Sequence, residues 1–241
     1  MLLVNNIDNR MKVIPIHNED KSSPSTGRTL KTYQEARLQN TENLRKLVVD
    51  AAAAILQEEG PEAVTVRRVS QRMGCSTKII YSLFVNKEGL AQQLYLEGCK
   101  LLALRFEEVP PHADLQQHLL ELGEAFWQFG QDYSSYYKLM FGGAFAEFKP
   151  DAESMQGTLT AIRRLQVLII TAQQQGLISD KEETGALVAA IWSSLHGVIH
   201  LYMGGFLGDA VAAHTVYRQT MELLSRALFA ASTPDRGADR G

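Results

Sequence analysis

Apolar residues recur along most of this 241-residue chain at helical spacing, and no long β-branched run alternates as a strand would. Leu44, Leu47, Val48, Ala51, Ala52, Ile55 and Leu56 fall at i, i+3, i+4, i+7, i+8, i+11 and i+12, which predicts an amphipathic helix of several turns. Gly60-Pro61 closes it with a C-terminal stop and a residue that cannot continue a helix. Val66, Val69 and Met73 make a second, shorter stripe, and Ile80, Leu83 and Phe84 a third. Gly74 between them can take the positive φ that lets one helix stop and another start within a few residues. Thr65 is placed to cap the second helix, and Ser76 or Thr77 the third, through a side-chain oxygen that accepts from an unpaired backbone N–H. The turn from Val85 to Leu90 leads into a fourth helix, roughly Lys87 to Phe106.

Beyond it, Pro110-Pro111 marks a hinge, and Asp114 precedes a run with Leu115, Leu119, Leu122, Phe126 and Phe129 toward the interior. A long helix is expected from about Ala152 to Gln175, ended by Gly176. Another is expected from near Asp180 past Trp192 and His196 toward Met203, capped by Ser179 or Asp180, and a last one over about Asp209 to Ala230. The fold class is therefore all-α. It divides into a flexible extension over residues 1–40, a small helical module over 41–90, a larger helical domain over 91–231 and a disordered tail over 232–241.

The two short helices broken at Gly74 read as a helix-turn-helix. Any αα-hairpin with a solvated outer face would show the same spacing; the long helix before it and the helix after it favour a small trihelical DNA-reading module. The outward faces carry Arg67, Arg68, Arg72, Lys78 and Tyr81, hydrogen-bond donors suited to phosphate oxygens and base edges. Charge supports this reading. Residues 28–90 hold ten basic against seven acidic side chains, whereas residues 91–241 hold eleven against seventeen. A modestly basic module on a chain of net charge −3 suits selective binding that needs two copies at once.

From Leu44 to Leu90 the chain resembles the N-terminal domain of TetR-type transcriptional regulators. Thr65-Val66-Arg67-Arg68-Val69, Met73-Gly74-Cys75-Ser76, Ile80-Tyr81, Phe84 and Asn86-Lys87 stand in that family's order and spacing. The resemblance implies that Thr65 and Arg67 approach the phosphate backbone or a groove edge. It implies that Ser76, Thr77 and Lys78 open the recognition helix, that Tyr81 and Ser82 face the sugar-phosphate backbone, and that Lys87 clamps a phosphate. Lys78, Ile79 and Leu83 depart from the family's usual residues, which leaves the operator sequence unread. The stretch Trp192-Ser193-Ser194-Leu195-His196-Gly197 and the segment Tyr136 to Gly142 are similar to the Trp-His-Gly class of C-terminal domains among these regulators. That similarity implies a helical regulatory domain dimerising through its last two long helices, for which Leu187, Ala190, Ile191, Leu195, Val198, Val216, Leu223, Leu224 and Leu228 are suitable apolar material.

The acidic domain concentrates aromatics from Phe126 to Phe148. Such side chains fill cores and also line small-molecule cavities. A cavity is expected among Trp127, Tyr133, Tyr137, Phe141, Leu165, Trp192 and His196, with His200 as a further polar contact. Its ligand is expected to be apolar or aromatic with few charges, since only Lys138, Arg163 and Arg164 could pair an anion. The expected partners are double-stranded operator DNA, a second copy of the chain and an unidentified small-molecule effector. The rival reading is a ligand-independent DNA-binding or architectural protein that uses its acidic domain for protein contacts.

No nucleophile elbow, phosphate loop or paired-carboxylate signature is present, so no enzyme and no cofactor are expected. His112 and His118, like His196 and His200, are separated by helical intervals but lack the acidic or thiolate company of a metal site. Cys75 reads as a small core residue and Cys99 falls on the fourth helix; inert buried thiols are the favoured reading over a redox switch between them. No apolar stretch approaches the ~20 residues that span a bilayer, and Met1 to Arg10 lacks the apolar core of a secretion signal. A cytoplasmic regulator is expected. Arg28, Lys31 and Arg37 could form a basic arm along the minor groove, or belong to a solvated tail.

Overall fold

A computed structural model describes residues 32–84, 86–143 and 149–230, and no strand occurs among them. Arg28, Lys31, Phe145, Phe148 and the tail from 232 lie outside the described residues. Helix α1 runs Tyr33–Glu59, starting eight residues before the expected start of the module at residue 41. The local reason is a capping box: Thr32 Oγ1 accepts from the Glu35 backbone N–H at 3.2 Å while the Glu35 carboxylate accepts from the Thr32 N–H at 2.8 Å. Its first turns bury nothing, so the apolar stripe that begins at Leu44 gave no sign of them, and Arg37 stands on this helix. Val48, Ala52, Ile55 and Leu56 form the buried edge of α1, whereas Leu47 points to solvent.

A 3-10 turn at Pro61–Ala63 leads to α2 (Val66–Met73) and α3 (Thr77–Leu83). Thr65 caps α2 as expected, its hydroxyl accepting from the Arg68 N–H at 3.1 Å. Gly74 takes φ 64°, the left-handed conformation that turns the chain between the two helices. Ser76 occupies the N-cap position of α3 without making a side-chain capping bond, so the expected cap is positional only. Val66, Val69, Ile80, Leu83 and Phe84 are buried, as their spacing predicted, where α2 and α3 pack on α1 and on one another.

Helix α4 (Lys87–Glu107) belongs to both halves of the molecule. It packs on α1 and also on α5 (Leu115–Asp132), α6 (Ser134–Phe141) and α7 (Ala152–Ala161). Two glycines permit the close approach. A Cβ on Gly98 would collide with the Met140 side chain, and one on Gly157 would sit 3.0 Å from Leu96 Cδ2. Between α4 and α7, the Tyr95 and Thr158 hydroxyls are 2.7 Å apart with Cys99 Sγ 3.8 Å from Thr158. Burial pushes the Cys99 thiol up to about 11, which keeps it protonated and unreactive.

The expected long helix over 152–175 is two segments, α7 and α8 (Arg163–Gln174), joined at a kink on Ile162. Helix α9 (Thr184–Met203) starts later than the expected Asp180, because Gln173 Nε2 donates to the Ser179 and Glu182 carbonyls and its Oε1 accepts from Thr184, holding that stretch as a turn. Helix α10 (Ala210–Ala230) closes the chain, with Asp209 accepting from the Ala212 N–H. By length and composition α9 is apolar enough to cross a bilayer, contrary to the sequence reading. Serines, glycine and histidines interrupt its run without lowering the average enough. It packs here on α5, α8 and α10.

Candidate nucleic-acid interface and regulatory core

Helix α3 turns one side inward through Ile80 and Leu83 and leaves Ser76, Thr77, Lys78, Ile79, Tyr81 and Ser82 exposed. Tyr81, 54% exposed on a seven-residue helix, has no packing role that would explain it. The Ser82 hydroxyl donates to the Ile79 carbonyl at 2.7 Å, which leaves its oxygen free to accept. Thr65, Arg67 and Lys87 are exposed at the starts of α2 and α4. A short helix presenting donors of this kind, braced by two others, can enter a major groove.

The arginines of α2 divide in a way the sequence did not show. Arg68 makes a bidentate pair with Glu59, its closest N–O distance 2.6 Å, and Arg72 does the same with Glu58 at 2.7 Å. These hydrogen bonds hold both carboxylates below, and both guanidinium groups above, their ordinary ranges. Arg68 and Arg72 therefore pin α2 to the end of α1. The signal available in the sequence was Glu58-Glu59 at the carboxyl end of the first helix, facing arginines four residues apart.

The seven residues expected to line a cavity separate into four settings. Tyr137, Phe141, Trp192 and His196 come together, joined by Phe126 and His200, with His196 ring centroids 4.4 Å from Phe141 and 4.6 Å from Trp192. The Tyr137 hydroxyl lies 2.6 Å from His196 Nδ1 and 3.2 Å from His200 Nδ1. Burial, and after it the neighbouring His200, drives His196 down to about 3, so its ring is neutral and accepts from Tyr137. Trp127 packs elsewhere, against Tyr202, His214 and Tyr217. Tyr133 lies under the Arg105 guanidinium beside Phe129, and Leu165 is buried on α8. A cavity of about 720 Å³ reaches Tyr137 and His200 from the junction with the first domain, where Glu59, Glu62 and Lys138 also line it. Phe126 was missed as a member; His200, expected as a further polar contact, joins the cluster through the Tyr137 hydroxyl.

On α9, Ile191, Leu195 and Val198 face the protomer's own core and are not available to a partner. The exposed face carries Ala186, Ala190, Ser193, Gly197 and Leu201 instead. On α10, Val211, Val216 and Leu223 are exposed, Leu223 to 63%.

A helix-turn-helix module joined through a shared helix to a larger helical domain defines a class of DNA-binding regulators. The family model for bacterial regulatory proteins of the tetR family matches residues 48–94, and that for the tetracyclin repressor-like C-terminal domain matches residues 119–224. The chain belongs to the TetR family of transcriptional regulators. No curated protein matches it. Among solved structures it is similar to a protein with unknown function from Rhodococcus sp. RHA1, with TM-score 0.66 and 18% identity over 77% of this chain and 95% of that one. It is also similar to the TetR family transcriptional regulator PfmR from Thermus thermophilus, with TM-score 0.57 and 21% identity over 74% and 97%. The fatty acid degradation regulator FadR from Bacillus halodurans aligns with TM-score 0.57 and 17% identity over 75% and 93%.

Proposed function

We propose that the protein is a homodimeric repressor that binds a pseudo-palindromic operator and is released from it by a small apolar or aromatic ligand. The observation that carries the DNA half is the α3 face, on which Ser76, Thr77, Lys78, Tyr81 and Ser82 are all exposed while the apolar residues of the same helix are buried. Arg67 and Lys87 flank it as phosphate contacts, and Thr65 stands at the cap. Two such helices on a dimer would enter successive major grooves about 34–36 Å apart. The exposed stripe on α9 and α10 supports the dimer, since small residues at Ala190, Ser193 and Gly197 allow close helix approach beside Leu201, Val216 and Leu223. The ligand half rests on α4, which links both regions: a ligand that binds one tilt of α4 more tightly than another shifts the spacing of the recognition helices.

Fluorescence anisotropy with the protein's own upstream DNA and a scrambled duplex, at two salt concentrations, tests the reading. Selective binding with two protomers per site is expected. Tyr81→Ala and Lys87→Ala are expected to weaken it at unchanged melting temperature, and wild-type affinity in both would refute this docking.

A further inference from the structure

The regulatory half of the chain is net acidic, yet it places two consecutive arginines, Arg163 and Arg164, at one apolar cleft. The cleft lies between the end of α4, the start of α5 and α8, and encloses about 510 Å³, within the ~300–1,000 Å³ of small-molecule pockets. Ala103, Pro111, Leu115 and Leu168 line it beside Val167, which is 51% exposed and has no packing role that accounts for its place there. His118 also lines it. This side chain is 9% exposed, yet its Nδ1 has no hydrogen-bond partner among the described residues. Burial and then Arg164 hold His118 below its ordinary range, so its ring is neutral.

The two arginines are committed differently. Arg164 Nη1 donates to the Phe106 carbonyl and, at 2.9 Å, to the Val109 carbonyl, which caps the carboxyl end of α4 with a cation. Its Nε and Nη2 donors make no hydrogen bond with any described residue. Arg163 makes no hydrogen bond or ion pair with any described residue, and Glu107 is the one acid in the lining. The arginines therefore outnumber the acids of the lining by two to one.

The geometry points to this cleft, rather than the aromatic cluster, as a binding site for a small carboxylate with an apolar tail. Its head would take the free donors of Arg163 and Arg164, a planar fork matched to two carboxylate oxygens. Its tail would lie along Ala103, Leu115 and Val167. Arg164 is the residue through which occupancy would reach α4, because the same guanidinium holds the Phe106 carbonyl in that helix's last turn and the Val109 carbonyl just beyond it; this consequence rests on the ligand-released reading above, whereas the binding does not.

Octanoate and the uncharged 1-octanol are the probes, titrated by calorimetry against the full chain, with Arg163→Gln and Val167→Trp as variants. Both positions are exposed, so folding is expected to be unaffected. Saturable octanoate binding is expected, at least tenfold tighter than octanol, weakened tenfold or more by Arg163→Gln and abolished when Val167→Trp fills the cleft. No octanoate binding at millimolar concentration, or equal binding by wild type and both variants, would overturn the site. The anisotropy assay separates the two claims. Octanoate that binds without changing DNA affinity leaves the site standing and removes its role in release. Release of DNA by some other compound, with no octanoate binding in the calorimeter, removes the site and leaves the regulator.

Discussion

The α3 face and the Tyr137–His196 cluster are both groups of polar and aromatic side chains on helices, but they stand in opposite relations to the core. On α3 the chemistry points outward, and stability comes from Ile80, Leu83 and Phe84 on the other side of the same turn. In the regulatory domain the chemistry is the core: Phe126 and Tyr137 are almost wholly inaccessible, and their rings contact one another, Trp192 and His196. The exposed side chains of the first region can be removed without opening its core. In the second, any deletion tests stability before it tests ligand binding, which is why a surface cleft with free arginines is the more separable site.

The largest expected effect breaks this contrast if it fails. Phe126→Ala should destabilise the chain by about 3–5 kcal/mol, since it empties the centre of five ring contacts. Tyr81→Ala should leave the urea midpoint where it is. Equal midpoints for Phe126→Ala and wild type would mean that the aromatic cluster is loosely packed and open to a ligand after all.

A smaller effect follows from His196. Its pKa in the folded chain is depressed to about 3 from an ordinary 6.5, so the fold binds the neutral ring and the unfolded chain binds the proton. The stabilisation is complete above pH 6.5 and declines as pH falls toward 3, by roughly 1.4 kcal/mol per unit once the unfolded ring is protonated. Urea unfolding of wild type and His196→Phe between pH 7 and pH 5 should show a steeper loss in the wild type. Parallel curves would place the ring in water in the folded state.

The smallest effect concerns the arginines of α2. Arg67→Ala should lower the slope of log affinity against log salt by about 1, the loss of one phosphate contact. Arg68→Ala should leave that slope unaltered, because its guanidinium is held by Glu59. The reverse order would mean that the Glu59 pair opens on DNA.

Legibility in the sequence followed the same division. Thr65 as a cap, Gly74 as the turn, the buried faces of α2 and α3 and the exposed residues of α3 could all be read, because each signal lies within one or two turns of helix. The start of α1 was missed although its signal was equally local, since Thr32 and Glu35 precede the first apolar residue that would draw attention to them. The lining of the regulatory domain was read least well. Trp127, Tyr133 and Leu165 carry the right chemistry but face different neighbours from Tyr137 and His196.

The sequence by itself determined the all-α class, most helix boundaries and the short helix whose polar face is exposed, since periodicity, caps and glycine turns act over a few residues. Only the tertiary structure decided which arginines are free, which face of α9 is left for a partner and which aromatics meet. Those outcomes depend on partners that are distant in the chain: Glu59 nine residues from Arg68, His196 fifty-nine from Tyr137, and the Phe106 carbonyl of α4 fifty-eight from Arg164. No local pattern encodes a choice among several apolar faces of one helix; the packing of its neighbours makes it.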